Sequence, residues 1–172
     1  MDVRRKVWLQ EMTWEEVERR LRETEVALVP VGSTEQHGPA LPLGTDTYVA
    51  IGLAEEAARR TGAVVAPPIW FGESSHHMAF PGTVTLRPET LIELVKDVCV
   101  SLAYHGFKKI IIINGHRRAN LPPLLIAAKA VREETGAYVA VIDPSKISID
   151  TALRLRETGG FHADEIETSH TV

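Results

Sequence analysis

The side chains able to do chemistry are concentrated in a few short stretches. The first is Gly32-Ser33-Thr34-Glu35-Gln36-His37-Gly38-Pro39, with Thr45-Asp46 soon after. Glu35 and His37 are two apart, so in an extended segment both side chains project to the same side. Asp46 stands where the next helix should begin, and the intervening loop is long enough to fold it back toward them. A carboxylate, an imidazole and a second carboxylate form a reasonable ligand set for Zn²⁺, Mn²⁺ or Fe²⁺. The same residues also fit a plainer reading, with Asp46 as a helix N-cap and Glu35 as a solvated loop residue.

Three further clusters carry polar residues of the same kind. In Asn114-Gly115-His116 the glycine permits a sharp turn that should leave His116 exposed at the end of a strand, as a ligand or as a surface histidine. Ser74-Ser75-His76-His77 precedes the turn-rich Phe80-Pro81-Gly82-Thr83 and reads as a loop over a sheet edge, where a structural role suits His76 at least as well. In His162-Ala163-Asp164-Glu165-Ile166-Glu167-Thr168-Ser169, a helix would put His162 and Glu165 on one face. A charged, solvated helix start fits that stretch equally.

These residues need a scaffold, and the pattern around them is an alternation of strands and helices. Thr13 and Glu16 make a capping box for a helix from Trp14 to about Arg22, with Trp14 expected to pack it onto a sheet. Glu25 to Gly32 is a nearly continuous apolar run, as in a strand buried on both faces. A helix over 46–60 stopped by Gly62, a strand over 63–66, a helix over 88–104, a strand over 108–113, a helix from about Pro122 to Glu134 and a strand over 138–142 follow. A short helix is expected around 151–156. The class is α/β, a three-layer α/β/α arrangement with a mainly parallel central sheet. In such sheets ligands bind beyond the carboxyl ends of the strands, which is where the Glu35 and His116 segments fall.

Composition bounds the rest. The chain has 172 residues, 44% hydrophobic and 24% charged, which suits one domain over 1–172. One cysteine, Cys99, lies in an apolar helix and reads as core. It excludes an intrachain disulfide or a Cys-rich zinc site and points to a reducing, cytoplasmic compartment. With seven histidines against that one cysteine, any metal must be held by imidazole and carboxylate. A net charge of −4 with both signs interspersed gives no footprint for nucleic acid, and no apolar run reaches the roughly 20 residues of a membrane span. The Gly32–Gly38 loop also lacks the glycine fingerprint of a dinucleotide site.

Taken together and in order, the four clusters resemble the creatininase (creatinine amidohydrolase) family. Glu35-Gln36-His37-Gly38-Pro39 with Leu41 to Asp46 resembles its N-terminal signature, and the His77, Asn114-Gly115-His116 and His162 to Ser169 segments match its later motifs. The resemblance implies a dinuclear centre of two divalent ions (Zn, Mn or Fe), with Glu35, His37, Asp46 and His116 as ligands. Asp46 would bridge the ions and Glu165 would be the remaining ligand. It also implies a homo-oligomer, often a hexamer, acting on a small cyclic amide or formamide. In that reading a metal-activated water attacks the C–N carbonyl and His162 (or a carboxylate such as Glu165) protonates the leaving nitrogen, while His77, Arg117 and Arg118 contact substrate. The two arginines fit equally well as solvated side chains at a helix start or as an oligomer contact.

Three departures from the family pattern stand out. Ala40 replaces a common histidine. Arg118 stands where creatininase-like members place a glutamate ligand, which argues against creatinine as substrate. Members usually continue well past the last motif, so a chain truncated at its C-terminus is expected, or a shortened member without activity. The alternative function is accordingly a non-catalytic metal-binding relative with an assembly or cofactor-maturation role.

Overall fold

Residues 6–144 are described by the computed structural model. Four strands, β1 (Val26–Val31), β2 (Val64–Val65), β3 (Lys109–Asn114) and β4 (Tyr138–Ile142), pair in parallel in the order β2-β1-β3-β4. Parallel neighbours need crossovers, and helices α2 (Thr45–Thr61), α3 (Pro88–Tyr104) and α4 (Arg117–Thr135) supply them. Helix α1 (Trp14–Leu21) precedes β1.

The alternation of side chains along β1 and β3 builds two cores. Ala27, Val29, Val31, Ile110 and Ile112 face α3 and α4, where Leu91, Val95, Cys99, Leu124 and Val131 pack against them. Leu28 and Ile113 face the other way, onto Ala50, Ala54 and Ala58 of α2. The sheet is thus covered on both faces, as the expected three layers require. No helix among the described residues is long and apolar enough to cross a membrane.

Strand order decides where a ligand can bind. From β1 the chain moves to β2 on one side and then to β3 on the other, so the order reverses between β1 and β3. A crevice opens at such a point, beyond the carboxyl ends of the two strands. Register makes those ends level, since Val31 pairs with Asn114. The next residues, Gly32 and Gly115, let α2 approach very closely. A Cβ on Gly32 would lie 2.4 Å from Thr47 Cα, and one on Gly115 would lie 1.9 Å from the Asp46 carbonyl oxygen. Both glycines are needed for this packing, which seats the first turn of α2 on the strand ends.

Two expectations are corrected. Trp14 does not pack α1 onto the sheet. It is 75% exposed at the first position of the helix, and Val17 and Leu21, a turn and two turns on, make the contact. Helix α4 starts at Arg117 rather than near Pro122, and both Pro122 and Pro123 lie inside it. Asn114 explains the early start. Its Oδ1 accepts from the His116 N–H at 3.1 Å and its Nδ2 donates to the Arg117 carbonyl at 2.7 Å, fixing the turn that launches the helix. The thirteenth residue's capping box is present as expected, with Thr13 and Glu16 bonded reciprocally.

Candidate metal centre

Glu35, His37, Asp46 and His116 meet at the β1–β3 crevice. Their exposures are 0%, 1%, 3% and 7%, so two carboxylates and two imidazoles are withdrawn from water together. His116 was expected to be exposed. The first turn of α2 and the loop at Glu73 cover it instead.

Local geometry explains how each is held. The Glu35 N–H donates to the Leu43 carbonyl at 2.9 Å, folding the loop so that Asp46 comes back over Glu35 and His37. Asp46 is the second residue of α2, where the helix's positive end favours an anion. Its Oδ1 lies 3.1 Å from His37 Nε2 and its Oδ2 lies 2.9 Å from His116 Nδ1. Glu35 Oε1 lies 3.3 Å from the same His116 nitrogen.

The other ring nitrogens settle the tautomers. His37 Nδ1 is 3.1 Å from the Glu35 carbonyl oxygen, and His116 Nε2 is 2.9 Å from the Glu73 carbonyl oxygen. A carbonyl can only accept, so both nitrogens carry hydrogen. Each ring therefore turns its remaining nitrogen toward carboxylate oxygens. If the rings are neutral, lone pairs face anions, an arrangement that calls for a proton or a cation between them. Metal-ligating histidines are oriented in this manner, with one N–H on a carbonyl and the other nitrogen on the ion. The donor set, two imidazole nitrogens and two carboxylates, suits a first-row divalent ion.

Protonation energetics agree. Burial opposes ionisation of Asp46, but hydrogen bonds from His116 and His37 outweigh it and hold the carboxyl below its usual range. Burial alone would lower His116. The Asp46 hydrogen bond and charge, the Glu35 charge and the Glu73 carbonyl override it and push the imidazole up to about 9.

A second ring of residues supports these four. Gln36 Oε1 accepts from the Gly38 N–H at 3.0 Å, which orients its amide so that Nε2 donates to His77 Nδ1 at 3.1 Å. Neutral His77 therefore carries its hydrogen on Nε2, which faces Glu35 Oε1 at 3.9 Å. Asn120 of α4 ties the walls together, accepting from the Glu73 N–H and donating to the Gly32 carbonyl, both at 2.9 Å. Arg117 and Arg118 occupy the first turn of α4, half-buried and exposed respectively. His162 and Glu165 lie outside the described residues.

His76, for which the sequence left a structural role at least as suitable, also reaches the site. Ligand atoms of Glu35, His76 and His116 lie within 4.8 Å of one another, as do those of Glu35, His37 and Asp46. Neither His76 nor the Asn120 clamp was marked by spacing. Adjacency to His77 was the signal for the first, and the second had none.

A family model described as creatinine amidohydrolase (creatininase) matches residues 10–172. The chain belongs to the creatininase family. Among the relatives of this creatininase-family chain is the 3-dehydro-scyllo-inosose hydrolase of Thermotoga maritima, 36% identical over 170 residues that cover 95% of this chain and 54% of that protein. The creatinine amidohydrolase of Pseudomonas putida is 34% identical over 116 residues, 64% of this chain and 45% of that protein. The mycofactocin precursor peptide peptidase of Mycolicibacterium smegmatis is 42% identical over 115 residues, 63% and 46% of the two chains. This chain thus spans about half the length of the curated relatives it matches. A solved structure described as "Creatininase Mn" superposes with a TM-score of 0.88 at 28% identity, covering 96% of this chain and 71% of that one.

Proposed function

We propose that this chain belongs to a metal-dependent hydrolase that cleaves a non-peptide C–N bond in a small cyclic amide or formamide. The observation that carries the reading is the pair of imidazoles, each bonded to a backbone carbonyl through one nitrogen and aimed at buried carboxylates through the other. Relatives named as an amidohydrolase and as a formylamino-pyrimidine deformylase support the substrate class. Manganese and zinc–zinc forms of creatininase, the latter of a mutant, support the metals.

His37 Nε2, His116 Nδ1, Glu35 and Asp46 would hold the ions, and Asp46 would serve both imidazole sides because its two oxygens face different rings. Glu165 is our assignment for the remaining ligand. When bound, divalent ions acidify a water toward neutrality and polarise a carbonyl oxygen. The chain's own groups do the rest. Gln36 holds His77 in the tautomer that presents Nε2–H to a substrate carbonyl oxygen beside Glu35. His162 delivers a proton to the departing nitrogen, a poor leaving group otherwise. Arg117 and Arg118, on the turn that follows His116, pair with a substrate carboxylate or phosphate. We assign the protein to the cytoplasm, as its one thiol, buried Cys99, suggests, and to a homohexamer on family resemblance.

The test uses the full-length protein with lactams, formamido-pyrimidines and N-formyl compounds, in the presence of Mn²⁺, Zn²⁺ or Fe²⁺. Turnover is expected to vanish on chelation and to return with metal, and Asp46→Ala should remove both metal and turnover. Hydrolysis that survives chelation sinks the reading. Arg118, on the turn beside His116, favours one alternative, a metal-binding relative without turnover. That alternative predicts full metal uptake and no hydrolysis of any compound in the set.

A further inference from the structure

The two halves of the centre are unequally furnished. On the His37 side, Glu35, His37 and Asp46 converge, all buried. On the His116 side the trio is Glu35, His116 and an exposed residue, His76. We infer that His76 is a metal ligand on the His116 side, standing between the buried donors and solvent. This rests on the metal reading above and assigns the residue that closes one of its two positions.

The segment carrying His76 is tethered to the site on several sides. It sits in the 3-10 turn Ser75–His77. Just before the turn, the Ser74 N–H donates to Thr85 Oγ1 at 2.8 Å, and the Ser74 hydroxyl pairs with the buried Ser33 hydroxyl beyond β1. Glu73 is gripped twice, its N–H by Asn120 and its carbonyl by His116 itself. The loop that orients the His116 ring therefore also delivers His76, three residues later, to within ligand distance of Glu35 and His116.

Ring geometry separates the two adjacent histidines. The His76 and His116 rings are nearly parallel, 7° apart with centroids 6.0 Å apart, and a ligand atom of each lies within 4.8 Å of one from Glu35. His77 uses its Nδ1 to accept from Gln36 and is held as a donor. No hydrogen bond engages either nitrogen of His76 among the described residues. A surface histidine with no role has no reason to lie within ligand distance of a fully buried carboxylate and a buried imidazole. Because His76 is exposed, it can leave the ion without uncovering Glu35 or Asp46, which makes it the exchangeable member of the set.

Cobalt uptake tests this directly. The full-length protein is stripped with chelator and titrated with Co²⁺, reading bound metal by elemental analysis and the visible absorption of each equivalent. Wild type is expected to take up about two ions per chain. His76→Ala and His76→Gln should take up about one, the second binding about a hundredfold more weakly and its absorption band lost. His105→Ala, a substitution at the exposed end of α3, should behave as wild type. Circular dichroism identifies any variant that has failed to fold, and the Gln variant preserves bulk and polarity at an exposed site. Retention of both equivalents with unchanged absorption in the two His76 variants overturns the inference and leaves the metal reading standing. A wild type that takes up no cobalt overturns both.

Discussion

At the scale of single residues, the centre is governed by competition between protons and cations. His116 is held up to about 9 by Asp46, Glu35 and the Glu73 carbonyl, against the effect of burial. In the metal-free protein near pH 7.5 its Nδ1 therefore carries a proton, and an ion arriving there must displace it. Zinc binding at that pH should release about one proton from this ring. Titration calorimetry in buffers of different ionisation enthalpy reads the release as a buffer-dependent heat, and a heat independent of buffer would contradict it. The sign follows from the same competition. Below about pH 9, apparent affinity should fall by up to about tenfold for each unit of acidification, because the raised value favours the proton. Cys99, by contrast, has no such role, since burial raises its thiol to about 12 and leaves it inert at neutral pH.

Elements set the position of these residues, and two glycines show how tightly. A methyl group at Gly115 would sit 1.9 Å from the Asp46 carbonyl oxygen, and the obstacle is backbone. Gly115→Ala should therefore cost about 1–3 kcal/mol or more in chemical denaturation and lower metal content, because Asp46 must move with its helix. Gly52, on the exposed side of α2, meets nothing within 4 Å. Gly52→Ala should stabilise by about 0.5–1 kcal/mol with metal content unchanged. Equal effects from the two substitutions would refute the close approach. Asn120→Ala should cost about 1–3 kcal/mol by abandoning the Glu73 N–H and the Gly32 carbonyl, read by the same denaturation. Much of this level was legible in the chain. Strand runs such as Lys108 to Ile113 and the glycine stops at Gly62 and Gly136 depend on local chemistry, and they appear within a residue or so of their expected places. Trp14 and His116 differ from expectation because what packs on or covers a side chain comes from residues far away in sequence, which no local period reports. The early start of α4 follows instead from the local Asn114 side-chain bonds, which an apolar period does not register. Glu35, His37 and Asp46 could be grouped because they share one loop, whereas His76 joins His116 only through the folded Glu73 segment.

For the molecule as a whole, the site spans the β1–β3 pair and so exists only in the folded state. Ligands that bind the native state alone stabilise it by mass action, about 2.7 kcal/mol at a hundred times Kd. Addition of Zn²⁺ or Mn²⁺ to stripped protein should raise Tm in a concentration-dependent manner, and Asp46→Ala should abolish the rise in differential scanning calorimetry. An unchanged Tm would place the ligands apart in solution.

The level pairing of Val31 with Asn114 also has a consequence for how such a protein acquires its ion. During synthesis, Glu35, His37 and Asp46 leave the ribosome long before His116, and no complete ligand set exists until β3 has docked beside β1. An emerging chain offers the cell's most avid metals only scattered, weak donors. Selection among cations is thereby deferred to a finished cavity, where geometry and supply decide the outcome instead of raw thermodynamic avidity.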